Sequence, residues 1–297
     1  MTSERPQALH LPRLGLGAWL ERGWRTIATL LCFMAFGAGC LLIWGLLFPL
    51  VTSPLLLTLS GQARRRAAAQ AVIHASFRAL VRLMASLGTI EVEIRGGEKL
   101  RRQGLLILAN HPTLIDVVLL IAQVRHADCI VKGALARNPF TRHPIRAAGF
   151  ICNNSGAGLV DDCIASLRAG NNLVIFPEGT RTPRQLLGHD GLASANPPPR
   201  LQRGAAQIAV RGAIDVTPVR IRCTPPLLLK GEPWWRLPAR RSHFLLEVGD
   251  DIAIQPFLDT AQASSEPDTT PGEARAARRL TEFLSSYFFQ EYPRATT

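Results

Sequence analysis

A histidine and an aspartate, His111 and Asp116, stand five residues apart directly after the short apolar run Leu105–Ala109. That run predicts a strand buried on both faces. Leu114–Val124 after it predicts an apolar helix. Residues three or four apart share a helix face and residues five apart do not, so a contact requires His111 to lie on a turn before that helix. Pro112 permits such a turn, and the carboxylate would then leave one imidazole nitrogen free as a base. In the alternative interpretation, Asp116 is a first-turn carboxylate that faces the helix dipole.

A second polar segment follows another apolar run, Leu173–Phe176. It places Glu178, Gly179, Thr180 and Arg181 at the end of a predicted buried strand. Glycine allows a backbone turn that other residues resist, and the planar guanidinium of arginine matches a phosphate through paired hydrogen bonds. The pattern predicts an anion site, although Glu178 and Arg181 could instead form a simple ion pair.

In this order and separation, Asn110–Asp116 and Phe176–Arg181 resemble the two diagnostic motifs of the glycerolipid acyltransferases, the lysophosphatidic acid acyltransferase family. The resemblance extends over Leu80–Asp251. It implies that His111 takes a proton from an acceptor hydroxyl, which then attacks a thioester carbonyl, while Asp116 orients the imidazole. It also implies that four residues shape and bind the polar head of the acceptor, namely Glu178, Gly179, Thr180 and Arg181.

One position departs from the family pattern. Ala148-Gly149-Phe150-Ile151-Cys152-Asn153 occupies the place of the family's middle motif, which usually ends in an arginine that helps to bind the acceptor's phosphate. Asn153 is therefore a further candidate for binding the acceptor: its amide can hydrogen-bond a phosphate or sugar oxygen, but it carries no charge. The expected acceptor is a lysophospholipid hydroxyl, with 1-acyl-sn-glycerol-3-phosphate first. The alternatives are a different hydroxyl acceptor from a specialised lipid or polyene-pigment pathway, and a catalytically silent lipid-binding membrane protein.

The amino-acid composition limits the classes of molecule that we expect the chain to bind. The 297-residue chain carries a net charge of +12 and is 47% hydrophobic, which favours anionic lipid head groups, phosphates or an acidic acyl carrier. The sequence has no zinc-ligand spacing or nucleic-acid motif, so we expect no metal, no cofactor and no nucleic acid. The expected partners are acyl-CoA or acyl-carrier protein as donor, the lysophospholipid acceptor and membrane lipids. None of the six cysteines forms a C-x-x-C pair, which indicates reduced thiols.

The N-terminal region predicts a membrane anchor. Thr26–Leu59 contains no charged residue, and Thr26–Phe48 alone is long enough to cross a bilayer core of about 30 Å. Arginines lie on both sides of this run, at Arg22 and Arg25 and again at residues 64–66. Positive residues prefer the cytoplasmic side, so we predict a helical hairpin with both ends cytoplasmic. The predicted location is the inner (cytoplasmic) membrane, with the catalytic domain on its cytoplasmic side.

Strand and helix patterns alternate along the rest of the chain, which predicts an α/β fold with a mixed, largely parallel sheet flanked by helices. With the N-terminal membrane-associated helical hairpin, this gives two parts: an anchoring segment, residues 1–66, and an acyltransferase-like catalytic domain, residues 67–297. The predicted strands are Ile90–Ile94, Leu105–Ala109, Cys129–Lys132, Phe150–Cys152, Leu173–Phe176, Val216–Cys223 and Phe244–Val248.

Overall fold

The computed structural model describes residues 16–53, 61–131, 133–139, 141–153, 158–187, 199–263 and 272–289. The seven strands of its sheet lie in the order β1-β7-β6-β2-β5-β3-β4. They comprise β1 (Ile90–Arg95), β2 (Leu106–Ala109), β3 (Ala127–Val131), β4 (Ile151–Cys152), β5 (Asn172–Ile175), β6 (Val216–Thr224) and β7 (Ser242–Val248). Every adjacent pair is parallel except β6 with β7. The predicted α/β class with a mixed, largely parallel sheet is therefore confirmed.

All seven predicted strands are present, with ends that differ by at most two residues. Lys132, the predicted end of the third strand, lies outside the described residues. The helices are α1 (Leu16–Thr52), α2 (Gln62–Ser86), α3 (Asp116–Ile121), α4 (Gly133–Arg137), α5 (Arg142–Ala148), α6 (Leu159–Arg168), α7 (Gly204–Gly212), α8 (Gln255–Ala263) and α9 (Gly272–Phe289).

The sheet separates two hydrophobic cores, and β2 contributes to both. Ile107 and Ala109 face a core that includes residues of α1, α2 and α3. Leu106 and Leu108 face the opposite core, with residues of α6, α7 and α9. Successive side chains of a strand point to opposite faces, and both faces are covered here, so all four side chains are fully buried. The uninterrupted apolar run that predicts this strand is thus explained by helices on both faces.

The N-terminal segment is arranged differently from the prediction. The uncharged run forms one continuous helix up to Thr52, and the last residues of that run, 54–59, lie outside the described residues. The helix that returns along α1 is α2, which carries arginines: Trp24 near the start of α1 donates a hydrogen bond to the carbonyl of Leu87, just after the end of α2 (3.2 Å). Two antiparallel helices therefore form, but the second arm of the pair is amphipathic.

Helix α1 is also the one described helix that is long and apolar enough to cross a membrane, by its length and composition. Helix α2 connects this region to the sheet. Arg66, the last residue of the predicted anchoring segment, lies within α2 and forms an ion pair with Asp128 of β3. Gln70, one turn later, donates a second hydrogen bond to the same carboxylate (2.7 Å). The helix pair is thereby bound to the catalytic part of the chain.

Candidate active site

His111 lies on the turn between β2 and α3, at the carboxyl end of β2. Its Nδ1 is 2.9 Å from Oδ2 of Asp116, which is the first residue of α3. The histidine is thus outside the helix and the aspartate is at its start, as the five-residue spacing requires. The helix is shorter than the predicted Leu114–Val124, since it comprises only Asp116–Ile121. Ile115 before it has non-helical dihedral angles (φ −96°, ψ 2°), and the backbone N–H of Leu114 bonds to the carbonyl of Leu228 (3.2 Å).

The Asp116 carboxylate is fully buried and has three hydrogen-bond donors. Besides His111, it accepts the backbone N–H of Thr113 (2.6 Å) and the Thr113 hydroxyl (2.5 Å). Burial raises the pKa of Asp116, and the hydrogen bonds from His111 and Thr113 oppose that rise. The carboxylate accepts the proton on Nδ1 and therefore fixes the tautomer in which Nε2 is the basic nitrogen.

The second ring nitrogen of His111 is available for chemistry. In the part of the chain that the structure describes, Nε2 has no hydrogen-bond partner, and 16% of the side chain is exposed. The ring of Phe176, at the end of β5, packs on the imidazole with 4.4 Å between centroids. An oriented imidazole with a free, partly exposed Nε2 is suited to act as a general base.

Glu178 joins the two motif turns. Its Oε1 accepts the backbone N–H of His111 (2.8 Å), and its Oε2 accepts the hydroxyl of Thr182 (2.8 Å). The backbone N–H of Thr182 in turn donates to the carbonyl of His111 (2.8 Å). Glu178 is buried, and burial raises the pKa of its carboxyl. Both of its oxygens accept hydrogen bonds from protein groups, so Glu178 supports the turn that carries His111.

The rest of this motif faces outward. Gly179 has a positive φ of 66°, and a Cβ atom there would lie 3.2 Å from Cγ of Gln202. Thr180 is exposed. The Nη1 of Arg181 donates to the carbonyls of Leu228 and Leu229 (both 3.2 Å). The alternative ion pair between Glu178 and Arg181 is not formed, and the remaining guanidinium donors of Arg181 are not used by these two bonds.

Asn153 is placed apart from these residues. It follows β4 at the edge of the sheet, where its Oδ1 accepts the backbone N–H of Gly133 (3.0 Å). Three strand spacings separate β4 from β2, a distance of about 14 Å. The structure therefore brings together His111, Asp116 and the Glu178–Arg181 segment, while the oxygen of Asn153 stabilises the start of α4.

Two positioning residues are not among the sequence-based candidates. Asn110 exchanges two hydrogen bonds with the backbone of Ile221 in β6, donating to its carbonyl (2.8 Å) and accepting its N–H (2.7 Å). This amide thus replaces a peptide group beyond the end of β2. Thr182 is fully buried against Glu178. An amide directly after an apolar strand was a signal for the first, whereas nothing in the sequence distinguishes Thr182 from its exposed neighbour Thr180.

An apolar cavity of about 170 Å³ opens beside the His111 turn. Leu114 and Ile115 of the turn form part of its wall, and Thr29 and Phe33 of α1 form another part. The other lining residues are Cys32, Phe36, Leu80, Met84, Thr89, Ile90, Val118, Leu227 and Leu228. Such a cavity can take a hydrocarbon chain, because its walls are largely aliphatic and aromatic. No cluster of His, Cys, Asp or Glu among the described residues has the makings of a metal site.

Two kinds of similarity relate this chain to known proteins. Residues 91–222 match the sequence profile of the Acyltransferase family. The fold is similar to the crystal structure of PlsC, the 1-acyl-sn-glycerophosphate (LPA) acyltransferase from Thermotoga maritima. The TM-score is 0.58 with 18% sequence identity, over 93% of this chain and 100% of that one. No curated protein has a significant sequence match to the chain. Residues 91–222 thus have the sequence pattern of an acyltransferase domain, the family that the two motifs resemble.

Proposed function

We propose that this acyltransferase is a membrane-associated enzyme that moves a fatty acyl chain from a thioester donor to a lysophospholipid hydroxyl. The donor is acyl-CoA or acyl-carrier protein, and the expected acceptor is 1-acyl-sn-glycerol-3-phosphate. The observation that carries the proposal is the 2.9 Å contact between Nδ1 of His111 and the buried Asp116 carboxylate. It leaves a basic Nε2 at the carboxyl ends of β2 and β5, where both motif turns meet.

The proposed chemistry needs no covalent enzyme intermediate. The acceptor hydroxyl gives its proton to Nε2 of His111, and its oxygen attacks the thioester carbonyl carbon. The new C–O bond forms, the C–S bond breaks, and the leaving thiolate takes the proton back from the imidazolium. Asp116 stabilises that imidazolium and keeps the ring in place, as the carboxylate does in a serine protease triad.

The apolar cavity supports an acyl group as the transferred unit. Leu114 and Ile115 line it, and both lie within five residues of His111 in the chain. Phe33 and Phe36 of α1 close another side, so the cavity lies between the catalytic turn and the apolar helix. A fatty chain could therefore pass between the membrane phase and the reacting carbonyl without crossing water.

A separate question is which residues bind the head group of the acceptor. Arg181 is the proposed phosphate contact, because Nη1 is held by two carbonyls and the other guanidinium donors remain for an anion. Asn153 provides no second charge, and its side-chain oxygen is already used by Gly133. This observation favours a second candidate, an acyltransferase with a different hydroxyl acceptor from a specialised lipid or polyene-pigment pathway.

Membrane association is proposed from α1. One face of this helix packs on the catalytic part: Arg25 near one end donates to the carbonyl of Ala239 (2.9 Å), and Trp44 near the other end lies 6.0 Å from the His143 ring. The opposite face is apolar and exposed, with Met34 at 53% and Leu42 at 69%. A helix bound along its length cannot cross a bilayer alone. We therefore propose that α1 lies in one leaflet of the inner membrane, on the cytoplasmic side.

The test is acceptor-dependent thiol release. Purified protein in nanodiscs is given acyl-CoA or acylated acyl-carrier protein, each with 1-acyl-sn-glycerol-3-phosphate or with other lipids that carry a free hydroxyl, and His111→Ala is the matched control. The proposal expects thiol release that requires both an acceptor and His111. Release with another lipid but not with 1-acyl-sn-glycerol-3-phosphate would establish the second candidate, and no acceptor-dependent release with either donor would leave a silent lipid-binding protein.

A further inference from the structure

The loop between β6 and β7, residues 225–241, extends over one flank of α1. Near its middle, Trp234 packs on Phe33 of α1 with 5.3 Å between ring centroids. Near its end, the guanidinium of Arg25 donates to the carbonyls of Pro238 (2.8 Å) and Arg240 (2.8 Å). The loop is therefore bound to α1 at two points.

The outer surface of this loop combines an aromatic side chain with positive charge. Trp235 packs edge-on against Trp234, yet 62% of it is exposed. Lys230, Arg236 and Arg240 are also exposed. Tryptophan beside arginine and lysine is the composition that favours the boundary between hydrocarbon and head groups. A free surface of this kind has no role in the Asp116–His111 chemistry.

The one carboxylate within the loop does not cancel this charge. Glu232 is mostly buried and forms its short ion pair with Arg184, while Arg236 is farther from it, at 3.9 Å. The Arg236 side chain remains 64% exposed. The net charge that the loop presents outward is thus positive, which is complementary to an anionic lipid surface.

We propose that the β6–β7 loop is a second membrane-contact surface, in which Trp235 enters the head-group layer and Arg236 and Arg240 bind anionic lipid head groups. This inference rests on the proposed membrane association of α1, with which the loop is continuous through Trp234 and Phe33. It adds a contact that the helix alone does not provide. The same loop supplies the Leu228 carbonyl that binds Arg181 and Leu114, so the proposed lipid contact lies on the segment that supports the acceptor side of the active site.

Spin labels at three positions test the proposal without measuring activity. In a Cys40→Ser, Cys152→Ser background, a label is placed at Trp235→Cys in the loop, at Leu42→Cys on the exposed face of α1, and at Glu282→Cys on α9, across the sheet. Power saturation with oxygen and with a water-soluble nickel chelate reports the depth of each label in nanodiscs. Labels at 42 and 235 are expected in the lipid and head-group regions respectively, and the label at 282 in water.

The outcomes separate the two proposals. If the label at 42 is in lipid while the label at 235 is as water-accessible as the label at 282, the loop proposal is wrong and membrane binding through α1 stands. If the label at 42 is also in water, both are wrong. Quenching of the unlabelled protein by brominated lipids, with a smaller quenched fraction in Trp235→Phe, gives an independent answer for the same residue.

The proposed binding of anionic lipid head groups is tested separately. Arg236→Gln in the protein labelled at 235 is expected to lower the ratio of lipid-contacting to water-exposed label about fivefold in discs that contain phosphatidylglycerol. In discs of phosphatidylcholine alone the same substitution is expected to have no effect. An equal ratio for parent and variant in both lipids would show that charge does not hold the loop at the membrane.

Discussion

Glu178 provides a sharp test of how the site is built, because its two oxygens bind protein groups. Glu178→Ala leaves the buried Thr182 hydroxyl and the His111 backbone N–H without partners. An unsatisfied buried group costs about 1–3 kcal/mol, so the free energy of unfolding is expected to fall by about 2–5 kcal/mol. The melting temperature should fall by roughly 5–15 °C. Since the turn that carries His111 also loses its support, kcat is expected to fall about 100-fold.

Glu178→Gln is the matched control. Burial raises the pKa of Glu178, so a neutral amide of the same shape is compatible with the site, and its oxygen can still accept the N–H of His111. Its melting temperature and its acceptor KM are expected to stay close to the parent values. Thermal unfolding and steady-state kinetics with acceptor and donor varied separately measure both. A large rise in the acceptor KM of Glu178→Gln at an unchanged melting temperature would show that Glu178 contacts the acceptor directly. The interpretation that Glu178 only joins the two motif turns would then be wrong.

Three further predictions concern neighbouring residues. Arg181→Ala should raise the KM of the acceptor roughly tenfold and leave the KM of the thioester donor nearly unchanged, as separate saturation curves would reveal. Asn110→Ala should lower the free energy of unfolding by about 2–4 kcal/mol in a denaturant titration, because the N–H and carbonyl of Ile221 lose their partners. Burial raises the pKa of Asp116, so this group's contribution to stability falls as pH rises from the ordinary carboxyl pKa to the raised one. The melting temperature of Asp116→Asn should therefore decline less than the parent's between acid and neutral pH.

The sheet was predictable because its strands are buried on both faces. Runs such as Leu105–Ala109 and Leu173–Phe176 contain no polar side chain, and central parallel strands require this. The His111–Asp116 contact was predictable for a related reason. A five-residue spacing excludes a shared helix face, so only a turn followed by a helix start brings the two side chains together.

Long-range hydrogen bonds explain what the sequence could not give. The helix predicted from Leu114 begins only at Asp116, and the backbone N–H of Leu114 bonds to the Leu228 carbonyl, more than a hundred residues away. Arg181 is bound by the same loop, and Glu178 turns inward to His111 rather than toward Arg181. No local pattern specifies such partners, since each depends on where the β6–β7 loop returns to the sheet.

The N-terminal region shows the limit of hydropathy. An uncharged run with a basic cluster at each end predicts two helical arms within that run. The structure instead has one continuous helix up to Thr52. One face of this helix packs along α2 and α5, through contacts such as that of Trp44 with His143. The boundary between residues 66 and 67 remains a prediction, and it falls within α2, whose Arg66 is paired with Asp128 of the sheet.

Single-turnover acyl transfer by His111→Ala in nanodiscs measures whether Nε2 of His111 is the base. The variant is expected to keep the parent's melting temperature and its affinity for the acyl donor, while the rate of ester formation falls by about 10²–10⁴-fold. A folded His111→Ala protein that forms ester at a rate near the parent's would show that His111 is not the base.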